Sequence, residues 1–104
     1  MLSQATIDSF QNDGIAFIPG LFKAHLDSLR MGVQKNIEEP GPHAAENLNE
    51  GEIGRFFDDY CNWQRINEFR NAAFDKNIAK AAALLMQSTT VQLFHDHVLV
   101  KAAG

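Results

Sequence analysis

The stretch Val91-Gln92-Leu93-Phe94-His95-Asp96-His97-Val98-Leu99-Val100-Lys101 decides the fold class of this 104-residue chain. Its apolar β-formers, set in an alternating pattern, predict a strand over the whole stretch. Because side chains alternate between the two faces of a strand, two sets of residues separate. One face carries Val91, Leu93, His95, His97, Leu99 and Lys101, and the other carries Gln92, Phe94, Asp96, Val98 and Val100.

His95 and His97 share a face of the predicted strand, with Asp96 opposed. Two imidazoles spaced in this way are able to bind one metal ion such as zinc or nickel if a third ligand comes from elsewhere. His25, His43 and the carboxylates of a later loop are candidates, but their spacing does not single out any of them. The interpretation we prefer has one histidine buried and hydrogen-bonded and the other facing solvent.

Lys101 lies on the same predicted face, at the end of an otherwise apolar strand. A lysine in this position is able to ion-pair with an anionic ligand. The alternative is that Lys101 marks the solvated end of the strand.

Upstream of this strand, hydrophobic spacing predicts four helices. They run from the N-cap Ser3 to Gly14, from Lys23 to Glu39, from Trp63 to Ala73, and from the N-cap Asp75 to Met86. Ile15–Ile18 is predicted as a short strand, and the segment from Ile53 to Tyr60 reads as a strand less clearly. Pro40 to Gly51 reads as a loop. The prediction is an α+β fold with more helix than strand.

Between the loop and the third helix, aromatic and acidic residues mix. We expect Phe56 or Phe57 in the core and Asp58 and Asp59 in solvent. Cys61 has no nearby lysine or arginine, so a buried structural thiol is expected. Core positions are also expected for three further aromatic residues: Trp63, Phe69 and Phe74.

Composition describes an ordinary small domain, with 45% apolar and 21% charged residues and a net charge of −4. We therefore expect one domain over residues 1–104, and the mild acidity argues against nucleic-acid partners and anionic membranes. The sequence pattern predicts no secretory signal and no membrane-spanning segment, so no membrane association is expected. The single cysteine excludes an internal disulfide and suits a cytoplasmic protein.

Taken in order, the chain resembles the N-terminal half of the phytanoyl-CoA dioxygenase family of Fe(II)- and 2-oxoglutarate-dependent oxygenases. Three stretches carry the resemblance. They are Asn12-Asp13-Gly14-Ile15-Ala16-Phe17-Ile18-Pro19-Gly20-Leu21-Phe22, then Gly54-Arg55-Phe56-Phe57-Asp58-Asp59 leading to Trp63, and the stretch over residues 91–101. The last is similar to a family strand written LxxDHhLhKepG, although Ala102-Ala103 stand where Glu-Pro is usual.

The resemblance implies the helix-rich N-terminal portion of a double-stranded β-helix, or jelly-roll, oxygenase that hydroxylates a small molecule. In the family, iron is held by an HxD motif and a distal histidine that follow this strand, and the chain contains no His-x-Asp or His-x-Glu. The resemblance therefore implies no catalytic and no metal-ligating residue here, a chain that stops before its catalytic core is complete, and no activity by itself. It implies His97 as a contact to 2-oxoglutarate, with His95 and Lys101 beside it.

An incomplete β-helix leaves a strand edge unpaired, which favours pairing with another chain. We therefore expect a homodimer or higher oligomer through Val91 to Lys101. Two alternatives to the oxygenase fragment remain: a stand-alone metal-binding protein that uses His95 and His97, and a structural or interaction domain without a small-molecule site. Burial of the histidine face against the chain's own helices would favour the latter.

Overall fold

Four α-helices and a three-stranded antiparallel sheet form the fold in the computed structural model, which describes residues 2–103. The helices are α1 (Gln4–Asp13), α2 (Leu26–Glu38), α3 (Asn67–Ala73) and α4 (Lys76–Met86), and a 3₁₀ turn, Lys23–His25, leads into α2. The strands are β1 (Ala45–Glu46), β2 (Arg55–Tyr60) and β3 (His97–Ala102). The predicted α+β class, with more helix than strand, is confirmed.

Local capping signals fix the ends of two helices where the sequence predicts them. The Ser3 side chain accepts a hydrogen bond from the Thr6 N–H at the start of α1, and Gly14 ends that helix in the left-handed conformation. Asp75 caps α4 through the Asn77 N–H. α1 packs against α4, and α2 packs against α3.

The third helix is shorter than predicted. α3 begins at Asn67 rather than Trp63 because the preceding residues form a separate turn, in which the Asn62 carbonyl accepts from the N–H groups of Arg65 and Ile66. Ile66 then takes an extended conformation, with φ −109° and ψ 101°, and this interrupts the helical path.

The sheet has the order β1-β2-β3, with β2 in the centre. Opposite residues of an antiparallel pair point to the same face, so the register groups the side chains into two faces. The inner face holds Phe57 and Asp59 with Val98 and Val100, and both β2 residues are buried. The outer face holds Phe56, Asp58 and Tyr60 with His97, Leu99 and Lys101.

Two predicted strand segments do not form strands. Ile15–Ile18 has no strand beside it, and Ile15 and Phe17 are 71% and 84% exposed. Val91 to Asp96 is not strand either, so β3 starts at His97. A strand needs a hydrogen-bonding neighbour, and β2 ends at Tyr60 because Cys61 turns the chain with a φ of +63°. Conversely, the loop from Pro40 to Gly51 contains β1.

Two expectations about side chains in this region, those for Phe74 and Cys61, also need correction. Phe57 and Phe69 are buried as expected, but Phe74 is 56% exposed and packs its ring edge-on against Trp63. The Arg70 guanidinium lies over both rings. The thiol of Cys61 is exposed rather than buried because its residue sits in the turn that ends β2.

Candidate functional site

Three histidines gather around one tyrosine at the end of the sheet. Tyr60 is the last residue of β2 and His97 is the first residue of β3. The register places them opposite each other, with ring centroids 5.5 Å apart. His95 lies 5.8 Å from the Tyr60 ring. His43 stacks on the same tyrosine at 4.5 Å with an interplanar angle of 12°. We call His43, Tyr60, His95 and His97 the histidine–tyrosine cluster.

A carboxylate adjoins this cluster. Asp58 lies on the same face of β2 as Tyr60, and its Oδ1 is 3.6 Å from His97 Nε2. The Asn47 side-chain amide donates a hydrogen bond to Asp58 Oδ2. Asn47 therefore orients the carboxylate that faces the His97 imidazole. The histidine–tyrosine cluster and Asp58 together form a partly exposed surface with imidazole, phenol and carboxylate groups.

The three residues predicted to contact a co-substrate are only partly brought together. The rings of His95 and His97 are 6.1 Å apart, and both residues are exposed. Lys101 shares the face of His97 but pairs with Phe56, four residues further along β3, which is about 13 Å at the usual strand rise. That these residues bind a co-substrate stays a prediction.

Asp96, expected only to oppose the two histidines, sets their position. Its carboxylate accepts hydrogen bonds from the backbone N–H groups of Asn62 and Trp63, each with a shortest distance of 2.9 Å. Its carbonyl accepts from the Cys61 N–H at 3.0 Å. Asp96, the residue between His95 and His97, is thus held by hydrogen bonds to the turn that follows β2.

Behind the sheet, Asp59 is fully buried, which corrects the expectation that it is solvated. It accepts hydrogen bonds from the Gly41 N–H at 2.7 Å and the Asn36 amide at 2.8 Å. Burial by itself raises the pKa of Asp59, but the hydrogen bonds from Gly41, Asn36, Tyr60 and Asn62 outweigh it and bring the pKa below its ordinary value. We call Asn36, Gly41, Asp59 and Asn62 the buried polar network.

The buried polar network places His43. Gly41 has no room for a side chain, since a Cβ there would lie 2.4 Å from Asn62 Oδ1 and 3.1 Å from Asp59 Oδ2. The backbone of Gly41 is therefore held against the inner face of the sheet. Two residues later the chain presents His43 to Tyr60 on the outer face. Sequence reasoning missed this function of Asp59, because nothing local distinguishes it from Asp58.

An apolar cleft of about 860 Å³ lies beside β3. Helices α2, α3 and α4 line one side of it, and residues 91–94 and 96–100 line the other. Phe74 and Leu99 at the cleft are 56% and 63% exposed, and Phe94 is 87% exposed. Exposed apolar side chains grouped in this way are typical of interaction surfaces.

Comparison with family models, with curated proteins and with solved structures finds no match for the chain. Across residues 2–103, no helix is long and apolar enough to cross a membrane. In the same residues, no three His, Cys, Asp or Glu side chains come close enough together to hold a metal ion.

Proposed function

We propose that the chain is the helix-rich N-terminal part of a phytanoyl-CoA dioxygenase-like hydroxylase that depends on Fe(II) and 2-oxoglutarate. One observation carries the proposal: Phe57 and Asp59 on the inner face of the sheet are buried, with Asp59 bonded to Asn36 of α2. On the outer face, by contrast, Tyr60 is half-buried and His97 and Lys101 are exposed. In a jelly-roll enzyme, further strands would enclose such a face as the wall of the ligand site. The histidine residues on it belong to the stretch that most resembles the family.

In this proposal the chain supplies part of a co-substrate site. His97 binds one carboxylate of 2-oxoglutarate, with His95 and Lys101 as further contacts, and Tyr60 supports both imidazoles. The residues that would bind iron lie outside this chain, because the HxD motif and its distal histidine are absent. By family resemblance, the complete enzyme hydroxylates a small molecule while 2-oxoglutarate is decarboxylated to succinate. The chain alone is expected to be inactive.

Titration of the ¹⁵N-labelled chain with 2-oxoglutarate tests the proposal. We expect chemical-shift changes centred on His95, His97 and Tyr60, reduced by His97→Ala and left unchanged by Lys80→Ala on α4. Acetate, which has one carboxylate, serves as the ligand control. Shifts of equal size with acetate, or no shifts at the cluster, would count against a co-substrate site. Turnover of 2-oxoglutarate with added Fe(II), above a metal-only control, would contradict the predicted inactivity.

A stand-alone metal-binding or interaction domain is the second candidate. The approach of Asp58 Oδ1 to within 3.6 Å of His97 Nε2 is the observation that favours metal binding, since it brings two donor groups together; a third ligand would have to come from elsewhere. Stoichiometric zinc or nickel that survives a chelator wash and is lost in His97→Ala would support this function. Burial of the histidine face against the chain's own helices would have favoured an interaction domain. His95, His97 and Lys101 are exposed instead, so the structure offers no such support.

Two further properties belong to the proposal. We place the chain in the cytoplasm, since the exposed thiol of Cys61 suits a reducing compartment. We also expect a homodimer or higher oligomer that covers Val91 to Lys101, because β3 forms an edge of the sheet.

A further inference from the structure

The chain exposes more surface than its size predicts. A folded monomer of 11.6 kDa exposes about 5,800 Å², whereas this chain exposes 7545 Å². The excess, roughly 1,700 Å², is larger than the ~800 Å² that each partner buries in a typical protein–protein interface. The chain as a whole therefore exposes enough additional surface for a dimer interface of ordinary size.

β3 offers unpaired backbone groups at its outer edge. The hydrogen bond from the Cys61 N–H to the Asp96 carbonyl fixes the phase of the ladder. Every second pair along the strands is then of the same hydrogen-bonded type: Asp59–Val98, Phe57–Val100 and Arg55–Ala102. The N–H and C=O groups of the intervening residues, His97, Leu99 and Lys101, consequently point away from β2 toward the open edge.

This edge is complementary to itself. We infer that two copies of the chain pair β3 with β3 in antiparallel register, with Leu99 opposite the partner's Leu99 and His97 opposite the partner's Lys101. In this register all three outward-pointing residues of each copy have a hydrogen-bonding counterpart. The two-fold axis is perpendicular to the sheet, so the helices of both copies lie on one side of a continuous six-stranded sheet.

The side chains fit this arrangement on both faces. On the outer face the exposed Leu99 meets its counterpart, and on the inner face the half-buried Val98 and Val100 meet the partner's valines. Those valines extend over the edge of the apolar cleft beside β3. Each ammonium of Lys101 also comes to the side of the partner's imidazole and carboxylate pair, His97 and Asp58.

The pairing changes the composition of the candidate site. Within one copy Lys101 lies about 13 Å from His97 along the strand, but across the dimer edge the Cα atoms of a hydrogen-bonded pair are only about 5.5 Å apart. The partner's Lys101 therefore joins His95, His97 and Tyr60. The strand pairing does not depend on the proposed function, and only the use of this lysine for a carboxylate ligand rests on it.

Sedimentation velocity on the 104-residue chain without ligand tests the pairing. We expect a dimer that Leu99→Asp weakens at least about ten-fold, since two carboxylates then lie directly opposite each other. Phe17→Asp changes an apolar residue that is 84% exposed elsewhere and is expected to leave the dimer intact. A chain that stays monomeric up to about 1 mM, or an undiminished dimer in Leu99→Asp with its native circular dichroism, would overturn the inference.

A charge change tests the register. His97→Glu creates two symmetry-related glutamate–lysine pairs, and at the usual strength of cross-strand ion pairs the dimer is expected to tighten roughly two- to thirty-fold. Adding Lys101→Ala is expected to abolish the gain. A gain that persists in the double variant would overturn the register.

Amide hydrogen exchange separates strand pairing from other dimers. The backbone N–H groups at positions 97, 99 and 101 are expected to exchange slowly in the dimer. In the folded Leu99→Asp variant, the N–H groups at the same positions are expected to exchange rapidly. A dimer in which these three amides exchange rapidly would instead be held by exchanged helices or by the cleft, and the inference would be wrong.

Discussion

Tyr60 and His97 face each other across the antiparallel pair of β2 and β3, with their ring centroids 5.5 Å apart. His43 stacks on the same tyrosine from the loop that precedes β1. Tyr60 therefore connects the loop that carries His43 to β3, and no backbone hydrogen bond between β2 and β3 makes this connection. The Tyr60 ring contacts the imidazoles, and we expect it to stabilise this region more than the hydroxyl does.

Replacing the ring should loosen this loop. Tyr60→Ala is expected to lower the free energy of unfolding by about 1–2 kcal/mol, because an aromatic pair contributes up to about 1.5 kcal/mol beyond its buried area. Tyr60→Phe keeps the stack and is expected to stay within about 0.5 kcal/mol of the native value. Chemical denaturation measures both variants, and the ring protons of His43, followed by NMR, should shift downfield only in Tyr60→Ala. Equal losses in the two variants would assign the stabilisation to the hydroxyl.

The helices could be predicted from the sequence because the residues that begin, end and pattern a helix act locally. Ser3, Gly14 and Asp75 act within one turn of their own positions, and the apolar spacing in α2 and α4 needs no knowledge of the rest of the fold. Strands depend on distant partners. Ile15–Ile18 and Val91–Asp96 have strand-like residues but no neighbouring strand, so pattern alone predicted strand at both places.

The site divides in the same way. A spacing of two residues brought His95 and His97 together in prediction and in the structure. His43 and Tyr60 reach them only through the register of β2 with β3 and the fold of the loop, which no local pattern encodes. Asp58 and Asp59 are adjacent and chemically identical, yet one is on the outer face and the other is fully buried. Only the sheet's packing on α2 distinguishes them.

Gly41 is expected to tolerate no side chain. In Gly41→Ala the added Cβ would meet Asn62 Oδ1 at 2.4 Å, and the buried polar network would have to move. We expect a loss of about 1–3 kcal/mol in the free energy of unfolding. Pro42→Ala, at the next and exposed position, is the matched control and should cost at most about 1 kcal/mol, the usual effect of losing a proline on the entropy of the unfolded chain. A neutral Gly41→Ala would show that the loop has room to shift.

Asp59 should make the fold sensitive to acid. Its pKa in the folded chain lies below the ordinary value of 3.8, so the unfolded state binds protons more readily. Its contribution to stability is therefore complete well above pH 3.8 and is lost as the pH falls through the lower, folded-state pKa.

Asp59→Asn should remove this dependence and cost about 2–4 kcal/mol at neutral pH, because its amide nitrogen would face either the donors of Gly41 and Asn36 at one oxygen position or the Tyr60 N–H at the other. Asp58→Asn, on the outer face, is the control. Unfolding curves recorded between pH 7 and pH 2 give the comparison. A native-like acid profile in Asp59→Asn would mean that another carboxylate is responsible.

The contact between His25 and Asp75 fastens the start of α2 to the start of α4. His25 Nε2 lies 2.6 Å from Asp75 Oδ2, while Asp75 Oδ1 accepts from the Asn77 N–H. The hydrogen bond from His25, followed by that from Asn77, lowers the pKa of Asp75 below its ordinary value. This contribution to stability is likewise present above pH 3.8 and lost as the pH falls through the lowered pKa.

Two substitutions separate the helix cap from the interhelical contact. Asp75→Asn keeps a capping oxygen but replaces the carboxylate that pairs with His25, whereas Asp75→Ala removes both. We therefore expect the melting temperature to fall in Asp75→Asn and to fall further in Asp75→Ala. His25→Gln should resemble Asp75→Asn, and combining the two should add little because both remove the same contact. Additive losses in the double variant would mean that the two side chains stabilise the fold independently.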